Sequence, residues 1–159
     1  MGDFTEFYRR YQHALHNYLV RMTGDPSMAM EIVQESFTRC LSRYGSHGSN
    51  RILLFTIARN TLIDEIRRQK RFSGLKEEEH PAGGNPEKRL EIRQEYTRVM
   101  AGLDQLEKGE REILAMRVSS DLTYREIAAI TGLNETNVRV KVHRARVKLK
   151  QFFDQEEDR

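Results

Sequence analysis

The stretch LTYREIAAITGLNETNVRVKVHRARVKLK, Leu122 to Lys150, holds more positional signals than any other part of the chain. Thr123 followed by Glu126 is a capping box, in which a hydroxyl and a carboxylate each accept from an orphan amide at a helix start. Ile127, Ala128 and Ile130 follow, and the small Ala128 permits a second helix to approach closely. Gly132 falls where a left-handed residue would end the first helix. Leu133 reads as a core plug and Asn134 as the cap of the next helix. Val138, Val142, Ala145 and Leu149 then recur on an inner face. Two helices joined by a tight turn are expected.

The second of these helices turns Arg139, Val140, His143 and Arg144 outward, with Lys141 and Arg146 flanking them. From Glu135 to Lys150 there are six basic residues and one acid. A helix in the major groove offers its N-terminal outer residues to base edges. Arg139 and Arg144 suit paired bonds to guanine, while Lys148 and Lys150, further along, suit phosphates. Tyr124, Arg125, Thr136 and Asn137 complete the candidate major-groove set. A plain helical hairpin with a solvated basic face is the alternative. The cap, the small residue, the turn glycine and the plugs all fall at the offsets of a DNA-binding helix-turn-helix, which favours the latter.

The rest of the chain is also helical in pattern. Phe4, Phe7, Tyr8, Tyr11, Leu15, Tyr18, Leu19 and Met22 step by three and four, and Gly24 suits the stop. Asp25 and Pro26 read as cap and first turn of a second helix, with the stripe Met28, Ile32, Val33, Phe37, Cys40, Leu41 and Tyr44. GSHGSN, Gly45 to Asn50, reads as a loop. A third helix, RILLFTIARNTLIDEIRRQKR, buries some combination of Ile52, Leu53, Phe55, Ile57, Leu62, Ile63 and Ile66, and ends in Arg67, Arg68, Lys70 and Arg71. SGLKEEEHPAGGNPEKR has two of the three prolines and almost nothing to bury, and is expected to be a flexible linker. Periodicity resumes through Leu90, Tyr96, Val99, Met100, Leu103 and Leu106. Gly109 marks a junction before a short helix with Ile113, Leu114 and Met116. The fold class expected is all-α: a three-helix lobe over 1–72, a linker over 73–89, a helix-turn-helix lobe over 90–153 and an acidic tail over 154–159.

Charge follows the same division. The net charge is +3, but residues 1–72 hold 11 basic and 7 acidic side chains, whereas residues 73–97 hold 4 and 6. Both lobes therefore have a cationic end, which points to a polyanionic partner touched twice.

Several function classes find no support. Histidines 13, 16, 47, 80 and 143 have no cysteine or carboxylate partners at metal-ligand spacing, and His13 with His16 supplies two ligands without a third. No glycine loop for phosphate is present. No catalytic residue, metal or cofactor is expected. Cys40, the single cysteine, excludes an internal disulfide and reads as a small buried hydrophobe rather than a reactive thiol. No apolar run approaches the roughly 18 residues of a membrane span, and the N-terminus has no signal-peptide core. Glu6 stands where a myristoylation motif needs serine or threonine. A soluble, cytoplasmic protein without direct membrane insertion is expected.

AMEIVQESFTRCLSRY followed by ILLFTIARNTLIDEIRRQKR resembles region 2 of bacterial sigma-70-type factors. LDQLEKGEREILAMRV with the opening stretch, down to its His-Arg-Ala-Arg, is similar to region 4 of the same family. The order of the two blocks, with only a short linker between them, resembles the extracytoplasmic-function group. The resemblance implies an alternative sigma factor that binds core RNA polymerase and promoter DNA, acts as a monomer on the polymerase and is silenced by a separate anti-sigma factor. It implies that the helix Met28 to Tyr44 holds the polymerase, with Glu31, Gln34, Glu35, Thr38 and Arg39 outward. It implies a −10 surface of Ser46, His47 and Asn50 in a base-pocketing loop, Asn60 facing the separated strand, and Phe55, Arg59, Asp64, Arg67, Arg68 and Arg71 around it. The helix-turn-helix would read the −35 element.

The chain departs from the family pattern in three places. Leu53, Leu54 and Phe55 stand where a Trp-Leu-Tyr is usual, so Phe55 is either the remaining wedge or core. Glu107 replaces a usual proline, and Val140 a position often small and polar. The acidic KEEEH run either tracks the RNA exit channel or is a soluble spacer. A stand-alone dimeric helix-turn-helix regulator is the competing reading. The basic end of the third helix weighs against it, because a dimerisation lobe needs no second nucleic-acid face.

Overall fold

The computed structural model describes residues 2–71 and 86–158, which form helices and the turns between them. The first three helices are α1 (Gly2–Thr23), α2 (Pro26–Tyr44) and α3 (Arg51–Arg71). A 3₁₀ turn, Gly45–Gly48, joins the last two, in place of the irregular loop expected there. After the break come α4 (Pro86–Asp104), α5 (Lys108–Ser119), α6 (Tyr124–Thr131) and α7 (Glu135–Glu157). Among the described residues there is no strand.

Local chemistry sets the boundaries. Gly24 N–H bonds the Val20 carbonyl at 2.8 Å and ends α1. Asp25 caps α2 by accepting from the amides of Ser27 and Met28, both at 3.1 Å. Asn50 caps α3 in the same way, its Oδ1 accepting from Ile52 and Leu53. Glu110 reaches back to the Glu107 amide at 3.1 Å, so α5 begins at Lys108 and Gly109 lies inside its first turn rather than at the junction.

The apolar stripes meet as three-helix and four-helix groups. Leu15, Tyr18 and Leu19 of α1 are buried with Ile32, Val33, Phe37 and Cys40 of α2 and Leu54, Phe55, Ala58 and Leu62 of α3. Burial pushes the Cys40 thiol up to about 11, which keeps it a neutral, inert hydrophobe at neutral pH. An aromatic cluster closes one end, with Tyr8 edge-on to Phe37 at 4.7 Å and Phe7 tilted on Tyr11 at 5.1 Å. In the second group Ile113, Ala115, Met116, Leu122, Ile127, Val138 and Ala145 are buried together.

Two expected boundaries move. The helical chain begins at Pro86, inside the span read as linker, while 73–85, with its KEEEH run, lies outside the described residues. The side chain of Leu90 lies outside them too. The acidic end is a continuation of α7 to Glu157 and not a separate tail. Arg98 of α4 explains this: its guanidinium lies 4.9 Å from the Phe153 ring centroid and bonds Glu156 at 3.4 Å.

The two groups pack on each other, α1 against α5 and α3 against α6. Polar contacts cross the joint beside the apolar packing. Arg51 at the start of α3 forks onto Glu126 of α6, both bonds 2.6 Å, and its other nitrogen reaches Asp121 at 2.9 Å. Arg59 of α3 pairs with Glu112 of α5. Arg21 donates to Ser119 at 2.9 Å, and the Arg21 carbonyl accepts from Arg111 at 2.8 Å. Tyr96 donates to the Gly24 carbonyl at 2.8 Å.

Glu126 thus serves twice, closing the capping box of α6 and holding Arg51. Burial would raise its pKa, but the Arg51 bonds and the Thr123 amide outweigh that and hold it below the ordinary carboxylate value. A depressed carboxylate contributes stability above its unfolded pKa and loses it as pH falls through the folded one. The clasp is therefore complete at neutral pH and fails only in acid. Glu126→Gln should keep the cap, which accepts glutamine, yet weaken the contact between groups by about 1–3 kcal/mol. Small-angle scattering should show a larger radius of gyration with helicity unchanged. An unchanged radius would mean that the Arg51–Glu126 fork is not needed to hold the groups together.

Candidate nucleic-acid and partner interfaces

The residues expected to bind fall on three surfaces. The first is the outer face of α7. Thr123 and Glu126 exchange bonds with each other's amides at 3.1 Å, as the sequence predicts. Gly132, at φ 77°, returns its N–H to the Ala128 carbonyl and turns the chain, which a side chain there would strain. The Asn134 Oδ1 accepts from the Asn137 amide at 2.7 Å and starts α7. Val138, Val142 and Ala145 are buried, and Ala128, Leu133 and Leu149 partly so. That rotation leaves Thr136, Asn137, Arg139, Val140, His143, Arg144 and Arg146 exposed, with Arg125 beside them on α6. Tyr124 is half-buried beneath Arg139.

Two lysines leave this face. Lys148, expected at phosphates, instead bonds Glu110 of α5 at 2.7 Å. The physical reason is that Glu110 is only 2% exposed and a buried carboxylate needs a partner. Burial raises its pKa, but Lys148, the Glu107 amide and nearby Lys141 more than reverse this, leaving it lowered and ionised. Lys141 accordingly leans toward α5, its Nζ near Gly109, and is half-buried.

The second surface is α3 with the preceding turn. His47 is exposed; of Ser46 only the backbone is among the described parts of the chain. Gly48 packs so tightly on the Cys40 carbonyl that a Cβ would lie 2.4 Å from its oxygen, which fixes the turn on α2. Asn50 is exposed, but its side-chain oxygen caps α3 and is not left to a base. Asn60, Asp64, Arg67, Arg68 and Arg71 are exposed along one side of α3, Arg68 held loosely by Glu65 at 3.1 Å. Phe55, for which the sequence leaves wedge and core both open, is fully buried against Tyr18, with ring centroids 5.9 Å apart, and is core.

Arg59 lies between these worlds. Its guanidinium is on Glu112, a carboxylate 7% exposed, and the Tyr18 phenol is close enough to feel both charges. Burial first, then Glu112, hold that phenol un-ionised against the opposing pull of Arg59. The Tyr18 hydroxyl has no hydrogen-bond partner among the described residues. Burying it unpartnered costs roughly 1–3 kcal/mol.

The third surface is the outer side of α2. Glu31, Gln34, Glu35 and Thr38 are exposed, and Arg39 is half-buried. Arg39 bonds Glu35 at 2.7 Å and Thr61 of α3 at 3.3 Å, and Gln34 meets the Tyr8 hydroxyl at 3.2 Å. Met30 at 46%, Leu41 at 42% and Tyr44 at 42% are exposed among them. Leu41 and Tyr44 were expected in the buried stripe, but the helix outlasts its partners and leaves its last turn uncovered. These apolar side chains lie among polar ones on the face expected to meet a partner. Neither Arg51 nor Glu112 carried a signal in the sequence, since their roles exist only where the two groups meet. His16 is turned to the Pro26 carbonyl at 3.2 Å, away from a shared site with His13.

Comparison with known proteins covers both groups. Residues 7–72 match the family described as sigma-70 region 2, and residues 96–149 that described as sigma-70, region 4. The ECF RNA polymerase sigma factor SigM of Bacillus subtilis is 28% identical over 156 residues, 94% of either chain. The RNA polymerase sigma factor YlaC of the same organism is 31% identical over 153 residues, 91% of this chain and 88% of that one. In fold, the chain is similar to the sigma factor RpoE in complex with the anti-sigma factor NepR from Bartonella quintana. That similarity has a TM-score of 0.74 and 24% identity over 97% of this chain and 98% of that one. It is also similar to CnrH in complex with the cytosolic domain of CnrY, with a TM-score of 0.69 and 24% identity over 96% and 88%.

Glu112→Gln should release Arg59 without removing side-chain volume. Affinity for a labelled single-stranded oligonucleotide, read by anisotropy, should rise about threefold, and its salt dependence should steepen by about 0.7 in slope, one added phosphate contact. Unchanged affinity and slope would mean that Arg59 is not available to nucleic acid from this position.

Proposed function

The chain belongs to the sigma-70 family, within its extracytoplasmic-function group, and from that membership we propose how its surfaces divide the work. It is an alternative sigma factor: it binds core RNA polymerase, directs it to particular promoters and promotes strand opening. Its part is that of an initiation factor, and bond formation belongs to the polymerase.

Residues 1–71 act as region 2 and residues 86–157 as region 4. The outer face of α2 docks on the polymerase. Gln34, Thr38, Leu41 and Tyr44 form its centre, with Glu31, Glu35 and Arg39 at the rim; the exposed apolar residues amid polar ones support this reading. The α3 face takes the −10 element. Asn60 lies against an unpaired base, at an unstacking cost of a few kcal/mol, and Arg59, Arg67, Arg68 and Arg71 meet phosphates. His47, Ser46 and the backbone of the fixed 3₁₀ turn border the flipped base. The α7 face reads the −35 element: Arg139 and Arg144 at base edges, Val140 against a thymine methyl, and Arg125, Thr136, Asn137 and His143 around them.

The observation that carries this assignment is the pairing of Arg59 with Glu112. A residue suited to −10 phosphates is covered by the −35 group, so promoter engagement requires the groups to part on the polymerase. Two structural relatives are seen bound by an anti-sigma factor or by the cytosolic domain of CnrY. A protein regulator of that kind holds this chain in turn, and the chain acts as a monomer on the polymerase, in the cytoplasm. No described helix is long and apolar enough to cross a membrane. The dimeric regulator is not favoured, because both groups match one family in one order.

Arg139→Glu with Arg144→Glu should abolish promoter selectivity and leave polymerase binding within about twofold, since rim charges far from a contact change little. Leu41→Glu with Tyr44→Ser should do the reverse, weakening polymerase binding by about tenfold or more, as loss of apolar anchors does. Pull-down against run-off transcription separates the two. Equal loss of both functions in both variants would contradict the division.

A further inference from the structure

Arg117 of α5 belongs to no expected site, yet it ends against the −35 face. Its Nη1 donates to the Leu122 carbonyl at 2.8 Å, which fixes the guanidinium just ahead of α6. That guanidinium lies 4.7 Å from the centroid of the Tyr124 ring. Arg139 of α7 lies over the same ring at 5.0 Å. Both guanidiniums are therefore within cation–π reach of one ring. Glu135, one turn earlier on α7, bonds Arg139 from the side at 2.9 Å.

The consequence concerns an exposed side chain. An arginine on a helix surface samples many rotamers and loses that freedom when it forks onto a guanine. Arg139 is already held on two sides, by a ring and by a carboxylate. The ring is in turn held by Arg117, and Arg117 by a backbone carbonyl between α5 and α6. The chain of contacts runs from the core of the group to the tip of its recognition helix.

We propose that Tyr124 is a positioning residue for −35 recognition: its ring, backed by Arg117, sets the direction of the Arg139 guanidinium and so the base preference beneath it. This rests on the major-groove role given to α7. Tyr124 acts through Arg139 and not by its own contact with a base, and the hydroxyl is dispensable.

The experiment is selection of a randomised −35 duplex library by the full chain on core polymerase, followed by sequencing. Arg139→Gln should flatten the preference at one or two positions. Tyr124→Leu should flatten the same positions by about three- to tenfold and leave those read through Arg144 intact. Tyr124→Phe should restore the wild-type motif, because it keeps the ring. Arg117→Gln, a half-buried change on another helix, should give a weaker form of the Tyr124→Leu pattern. Uniform weakening across all sequences in Tyr124→Leu and Arg117→Gln, with the motif unchanged, would overturn the proposal. So would a Tyr124→Phe motif like that of Tyr124→Leu. If Arg139→Gln itself leaves every position unchanged, the base-reading role of α7 at Arg139 fails first, and the proposal fails with it.

Discussion

The structure turns on a buried charge. Glu112 is nearly inaccessible at the junction of the two helical groups, and Arg59 neutralises it. Removing one partner of such a pair is costly because the other is left unpaired in a poorly hydrated place. Arg59 cannot leave for a phosphate unless Glu112 gains water, and Glu112 gains water only if α5 moves away from α1 and α3. In this geometry a phosphate contact by Arg59 would require the groups to separate, whereas Asn60, Arg67, Arg68 and Arg71 are already exposed. The Arg51 fork on Glu126 adds to the same joint. Ion pairs thus cross a joint that also has apolar packing, and ion pairs can be exchanged for water or phosphate when groups part.

The two DNA-facing surfaces owe their shape to different devices. On α7, a cap, a left-handed glycine and three buried inner residues fix the rotation, and the exposed cations follow from it. On α3 the rotation is fixed by Leu54, Phe55, Ala58 and Leu62 on the inside, which puts Asn60, Asp64, Arg67, Arg68 and Arg71 outside.

Local signals were legible in the sequence where the chemistry is local. Asp25, Thr123, Glu126, Gly132 and Asn134 each satisfy a backbone group within four residues, and each is found doing so. α3 runs from Arg51 to Arg71, the span its periodicity predicts. What the sequence left open depends on distant partners. Leu53, Leu54 and Phe55 are adjacent apolar residues, and only the position of Tyr18 decides that Phe55 points inward. Lys148 looked free until Glu110, 38 residues away, claimed it. Leu41 and Tyr44 share a stripe with Phe37, but nothing in a stripe says where the neighbouring helices stop. The start of α4 at Pro86 was hidden by composition, because a helix opening on Pro-Glu-Lys-Arg has no apolar residue to announce it.

The most direct measurement is run-off transcription by purified core RNA polymerase on pooled promoter fragments at moderate salt, with and without this chain. Transcripts that require the chain and come from a selected subset of fragments are the predicted result, and their start sites would give the two promoter elements. If none form while the chain alone shifts specific duplex DNA, α6 and α7 belong to a self-sufficient regulator, and the account of an initiation factor fails.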